Sequence, residues 1–236
     1  MDGILIVDKH QGCTSFDIIR MLRKITKIRK MGHSGTLDPM ATGVLAVFLG
    51  KATKAVKNFI EGSKGYECEM TLGIQTDTLD ASGKVIETKA VHGPVSRDLI
   101  EAMFKRFTGD IEQIPPMVSA IHHKGKRLYE LARDGITVPR QPRPVSIKEL
   151  RLLGIEDGPN PRIKFYCRCS KGTYMRSLVS DMGTALGCGA HLSALRRVYS
   201  EPFSIDQAHT IRSIEDLMRA GKLDSIILDP VELLKA

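Results

Sequence analysis

The stretch Gly32-His33-Ser34-Gly35-Thr36-Leu37-Asp38-Pro39-Met40-Ala41-Thr42-Gly43 breaks the hydrophobic period on either side of it, and the uninterrupted apolar run Val44–Leu49 follows directly. Glycines and a proline at this density make a shaped loop, and a short apolar run after a loop reads as a buried strand. Glycine lets backbone approach a ligand closely. Asp38 precedes Pro39, which biases its backbone toward extended geometry and presents the side chain forward. A carboxylate placed this way is a nucleophile, a base, a metal ligand or simply a turn residue. Two rival motifs fail on spacing. Gly43 and Gly50-Lys51-Ala52-Thr53 are separated by six residues where a phosphate loop has four. Gly32-His33-Ser34-Gly35-Thr36 is not the G-x-S-x-G of a hydrolase elbow.

Working outward, Ile4–Val7 reads as a short buried strand. Thr14 and Asp17 have the spacing of a capping box, and Ile18, Leu22 and Ile25 continue at helical period. Lys51–Ile60 suggests a helix. Tyr66, Cys68, Met70 and Leu72 alternate with polar residues as in a half-buried strand, and Lys84–Thr88 suggests another. Ser96 caps an amphipathic helix through Leu99, Ile100, Met103, Phe104 and Phe107. Residues 114–145 change character: Pro115, Pro116, Pro139, Pro142 and Pro144, many bases, and one helical patch near Leu128–Asp134. They read as an inserted, RNA-facing arm. Val145–Glu156 and Arg162–Ser170 are strands, the second with Ile163, Phe165, Cys167 and Cys169 on one face. Thr173 is expected to cap a helix that turns Met175, Leu178, Val179, Met182 and Leu186 inward, and two short helices close the acidic end. Helices and strands interleave too irregularly for a doubly wound sheet. The expected fold is α+β, one mixed or antiparallel sheet with helices packed on it, in a single domain over residues 1–236.

The 236 residues are 42% hydrophobic, enough for a core, and no apolar run approaches the length of a membrane span. The N-terminus lacks a basic region and its apolar run stops at Asp8, so it is no signal peptide. Five cysteines without a C-x-x-C suggest reduced thiols in a cytoplasmic protein. The net charge of +8 is unevenly placed: residues 201–236 are acidic, while Arg20–Lys30 carries six bases and no acid, and bases dominate 115–151 and 162–197. Three separated basic stretches favour nucleic acid over solvated surface, and their lack of a Trp/Phe-rich face argues against a membrane. Two further sites stand out. Lys171-Gly172-Thr173-Tyr174-Met175-Arg176 is a turn before a helix, with Tyr174 and Arg176 outside the apolar set and free to face a cleft. Tyr66 lies on the apolar face of its strand, where a core role is the plainer reading.

GHSGTLDPMATGVL resembles the catalytic motif of the TruB-type pseudouridine synthases. GILIVDK, SKGYECEMTLG, GIQTDTLDASG, GDIEQIPPMVSAIHHKGKRLYELARDGI, SKGTYMRSL and LGCGAHLSALRR are similar to the family's other motifs, in order, across residues 3–200. Two departures are His10 where the family has proline after Lys9, and an end at Ala236 that leaves too few residues for a C-terminal PUA domain. The resemblance implies isomerisation of uridine 55 in the TΨC loop of tRNA, with base flipping and with no metal, nucleotide or redox cofactor. It implies Asp38 as nucleophile, Arg176 paired with it, and Tyr66 beside the target base. It also implies His33 stacked on displaced nucleotides, and Tyr174, Leu195 and Lys9 as substrate contacts. Arg20, Lys24, Lys27, Lys124, Lys126, Arg127 and Lys171 are the expected RNA-binding bases, and tRNA the expected partner of a monomer. The Asp77/Asp80 turn is expected to be structural. A non-catalytic RNA binder or tRNA folding chaperone on the same fold is the alternative.

Overall fold

The computed structural model describes residues 1–119, 121–123 and 125–233. In chain order its elements are β1 (Gly3–Lys9), α1 (Ser15–Thr26), β2 (Met31–His33), β3 (Thr42–Leu49), α2 (Val56–Ile60), β4 (Lys64–Leu72), β5 (Ile74–Thr76), β6 (Val85–Thr88), α3 (Arg97–Phe107), β7 (Gly109–Gln113), β8 (His122–His123), β9 (Lys126–Arg127), α4 (Leu128–Arg133), β10 (Arg143–Glu156), β11 (Arg162–Cys169), α5 (Met175–Ala185), β12 (Ala190–Ser200), β13 (Phe203–Ser204), α6 (Ile211–Arg219) and α7 (Pro230–Leu233). One mixed sheet of nine strands has the hydrogen-bonded order β1-β3-β12-β4-β11-β10-β7, with β2 beside β3 and β13 beside β12. The pairs β5–β6 and β8–β9 are separate. This is the α+β architecture expected from the sequence. The chain divides into two compact units, residues 1–66 with 195–236 and residues 67–194, and β4 and β12 run through both.

In the first unit, β1 and β3 pair antiparallel from Gly3↔Leu49 to Lys9↔Gly43. Their apolar runs do not alternate with polar residues because both faces are covered. Leu5, Val7, Leu45, Val47 and Leu49 pack with Ile18, Ile19 and Leu22 of α1 and Ile214 of α6. Ile4, Ile6, Val44, Ala46 and Phe48 pack with Phe59 and Phe203 on the other side. The expected capping box starts α1: Asp17 N–H donates to Thr14 Oγ1 (3.1 Å) and Thr14 N–H donates to Asp17 Oδ2 (3.0 Å). Those bonds to Thr14 also hold the Asp17 carboxyl below its ordinary range.

In the second unit, β10 pairs antiparallel with β11 and with β7. Alternate residues of β11, Ile163, Phe165, Cys167 and Cys169, are fully buried, and Phe165 meets Phe104 of α3 with ring centroids 5.5 Å apart. Burial pushes the Cys68 thiol up, and hydrogen bonding with Cys169 together with burial raises Cys167. All five cysteines are buried thiols outside any disulfide.

Two local expectations need correction. Lys51–Ile60 is not one helix: Gly50–Ala55 is 3-10, and only Val56–Ile60 is α. In the 3-10 turn Thr53 Oγ1 donates to the Gly50 carbonyl (2.8 Å). Thr173 does not cap α5: the N-cap is Tyr174, one residue later, and Thr173 Oγ1 donates back to the Ser170 carbonyl (2.9 Å). Strand β12, in the middle of the sheet order, had no sequence-based expectation at all.

Candidate active site

Along one edge of β3, β2 pairs antiparallel as far as His33↔Val47, and β12 pairs parallel at Arg196↔Thr42 and Arg197↔Gly43. The loop from Ser34 to Ala41 joins β2 to β3 and carries Asp38. Both neighbours of Asp38 are tied to the turn between β1 and α1. Leu37 N–H donates to Ser15 Oγ (2.9 Å), which donates back to Leu37 O (3.2 Å), and Gly12 N–H donates to Pro39 O (2.8 Å). Leu37 and Ala41 are buried while Asp38 is half-buried. The result is a half-buried carboxylate on a loop whose flanks are tied by hydrogen bonds.

Lys9 departs from its expected part. It is fully buried, and its Nζ donates to Ala41 O (2.6 Å), His10 O (3.1 Å) and Pro39 O (3.4 Å). Burial lowers its pKa, and the nearby charges of Cys13 and Asp38 oppose that shift. An ammonium committed to three backbone carbonyls is a loop anchor, which corrects its reading as a substrate contact. The motif glycines also differ from expectation. A Cβ on Gly43 (φ +99°) would sit 2.2 Å from the Arg197 carbonyl oxygen, so glycine there admits strand β12 rather than a ligand.

His33 is half-buried, and its Nδ1 has no hydrogen-bond partner. Burial first, then the Arg197 guanidinium, lower its pKa, so the ring is neutral at pH 7 and suited to stacking. Tyr66 on β4 and Leu195 on β12 are buried residues of the same unit. Arg197 itself was passed over in the sequence as one more base of a basic stretch. It is 2% exposed and donates to Val44 O through Nε (2.7 Å) and to Gly35 O through Nη2 (3.1 Å). Its neighbour Arg196 forks onto Asp8, at 3.1 and 2.8 Å.

The second unit holds Lys171, Tyr174 and Arg176. The Arg176 side chain is buried, lies 3.6 Å from Asp80 and donates to Thr78 O (3.2 Å) and Val118 O (2.7 Å). Asp80 in turn accepts from Thr78 Oγ1 (2.7 Å) and Ser82 N (2.9 Å), so the Asp77/Asp80 turn is the seat of this arginine. Gln113, also missed, is buried and brackets the Tyr174 backbone: Tyr174 N–H donates to its Oε1 (2.8 Å), and its Nε2 donates to Tyr174 O (3.1 Å).

The expected RNA-binding bases lie on exposed surface. On α1, Phe16, Arg20, Lys24 and Lys27 share the face opposite the core, with Arg20 4.8 Å over the Phe16 ring. In the arm, Lys126 and Arg127 are exposed, and the Tyr129 ring has Arg127 at 6.0 Å and Arg133 at 5.4 Å. Lys171 is exposed too, whereas Lys124 lies outside the described residues. Among the described residues no group of three or more His, Cys, Asp or Glu could hold a metal, and no helix is long and apolar enough to cross a membrane. A cleft of about 460 Å³ in the first unit, lined by Lys51, Lys54, Ile227 and Pro230 among others, includes none of the candidate residues.

Residues 23–175 match the TruB family pseudouridylate synthase N-terminal domain, and residues 176–234 match the tRNA pseudouridylate synthase B C-terminal domain. The tRNA pseudouridine synthase B of Aromatoleum aromaticum is 47% identical over 234 residues, 99% of this chain and 74% of that protein. That of Geobacillus thermodenitrificans is 43% identical over 235 residues, 98% of this chain and 78% of that protein. Of solved structures, a Cbf5-Nop10-Gar1 complex superposes with a TM-score of 0.72 at 33% identity, over 94% of this chain and 56% of that one. An H/ACA RNP bound to a substrate RNA containing 2'-deoxyuridine gives 0.72 at 29% identity, over 98% of this chain and 60% of that one. The fold is that of an RNA-modifying isomerase class, and the chain belongs to the TruB family of pseudouridylate synthases.

Proposed function

We propose that this chain converts uridine to pseudouridine in tRNA, at position 55 of the TΨC loop, with Asp38 as the nucleophile. The observation that carries this reading is a half-exposed carboxylate on a loop pinned at Leu37, Pro39 and Ala41, in a chain of this family. In the reaction the N1–C1′ bond breaks, the uracil turns, and C5 bonds to C1′. The C5 proton leaves and N1 gains one, so composition and oxidation state are unchanged and the chemistry calls for no cofactor. Asp38 acts as the carboxylate. Tyr66 packs beside the target base and removes the C5 proton. Arg176, Tyr174 and Leu195 complete the catalytic and base-holding set. Flipping the base out of a folded loop costs a few kcal/mol. A neutral His33 ring stacked on a displaced nucleotide offsets part of that cost. The exposed bases of α1 and of the arm, with Lys171, carry the phosphate contacts of a monomer working on tRNA in the cytoplasm. The names of the relatives favour catalysis over a purely RNA-binding chaperone.

Asp38→Asn tests the assignment. It removes the charge without changing shape, so pseudouridine formation should be abolished while the Kd for unmodified tRNA stays within about tenfold. Turnover above a few per cent of wild type would place the nucleophile elsewhere.

A further inference from the structure

We propose that Arg197 is a positioning residue for the reaction: its buried guanidinium ties Gly35 to Val44 and thereby fixes both ends of the loop that aims Asp38. The inference rests on the reading of Asp38 as the nucleophile.

The guanidinium spans the loop mouth. Nη2 donates to Gly35 O just after β2 ends, and Nε donates to Val44 O on β3. Lys9 holds the middle of the loop from the other direction, through Pro39 O and Ala41 O. The loop that carries Asp38 is therefore held by two cations whose hydrogen bonds go to loop and strand backbone. Gly43 is shaped around Arg197: a Cβ there would collide with the Arg197 backbone, 2.2 Å from its carbonyl oxygen. Gly35, whose carbonyl accepts from Nη2, has a positive φ (+116°) that side chains rarely adopt. Gly43 and the arginine, far apart in sequence, form one fitted junction.

Stability alone is a poor reason for this arrangement. Burying a charge is costly, and an apolar side chain of similar volume usually serves a core as well or better. A planar guanidinium presents Nε and Nη2 in fixed directions to the two carbonyls, a rigid fork that a lysine's single nitrogen does not reproduce. In-line attack needs reacting atoms about 3–3.5 Å apart, and a misplacement of about 1 Å costs on the order of 100-fold in rate. Releasing either loop end costs that alignment without removing any group that touches RNA.

The test compares wild type, Arg197→Lys and Arg197→Met in the full chain, with kcat measured at saturating TΨC stem-loop RNA and normalised to the folded fraction. The expected result is a fall in kcat of about 30- to 100-fold for Arg197→Lys and at least about 100-fold for Arg197→Met, with the RNA Kd within about threefold of wild type. A kcat within about threefold of wild type per folded molecule in either variant overturns the proposal. A second readout needs no variant to fold. In the NMR spectrum of the wild-type protein the Arg197 Nε–H should be protected from solvent exchange, unlike that of exposed Arg20, and equal exchange overturns the proposal. Asp38→Asn run alongside separates the two claims. If Asp38→Asn is inactive while Arg197→Lys keeps its kcat, only the positioning role falls. If Asp38→Asn is active, the nucleophile assignment falls and this proposal falls with it.

Discussion

The Asp38 loop and the 114–145 arm use the same cations for opposite ends. At the loop, Lys9 and Arg197 are buried and their donors go to backbone carbonyls. In the arm, Lys126, Arg127 and Arg133 are exposed, and two of them lie over a tyrosine ring. A buried cation with fixed acceptors sets geometry and is little screened by salt. An exposed one attracts phosphate and is screened within about 10 Å at 0.1 M salt. In this protein, burial rather than residue type separates a cation bound to backbone carbonyls from a cation open to solvent.

That contrast can be broken. The largest effect is expected at Lys9. Lys9→Met leaves three carbonyls without their donor, so kcat should fall about 100-fold and stability by about 1.5–3 kcal/mol for a charged hydrogen-bond donor lost. The dependence of RNA binding on salt should not change. Urea unfolding and stem-loop kinetics at two salt concentrations check this, and a variant defective only in Kd would place Lys9 at the RNA after all.

A smaller effect of the opposite kind is expected on α1. Reversing Arg20, Lys24 and Lys27 together should weaken tRNA binding about tenfold at physiological salt. It should also flatten the slope of log K against log[salt] by about 2 to 3 if each base neutralises one phosphate, at about 0.9 per contact. The kcat should stay near wild type, since this face is turned away from the core. An unchanged slope would demote α1 to solvated surface.

The features legible in the sequence were local. Thr14 and Asp17 are three residues apart, and their mutual bonds need nothing else to form. The Val44–Leu49 run declares a buried strand whatever covers it. What escaped depends on distant partners. Strand β12 contains two adjacent arginines that spoil both alternation and apolar content, and each is satisfied by the first part of the chain, Arg196 by Asp8 and Thr42 and Arg197 by Val44 and Gly35. Lys9 read as a substrate contact because a lysine carries no local sign that its acceptors are carbonyls some thirty residues on, at Pro39 and Ala41. Arg176 was recognised, but its seat on Asp80 was not, because the Asp77/Asp80 turn lies nearly a hundred residues earlier. The five exposed α1 and arm positions Arg20, Lys24, Lys27, Lys126 and Arg127 were legible as surface, since a charge without an apolar neighbour at the right period has little else to do.

The most direct measurement incubates the purified chain with unmodified tRNA and maps pseudouridine at single-nucleotide resolution, with Asp38→Asn in parallel. One new pseudouridine at position 55 of the TΨC loop, present with wild type and absent with Asp38→Asn, is the expected result. No pseudouridine anywhere, despite tight tRNA binding, would contradict the account and leave an RNA chaperone on the fold of a synthase.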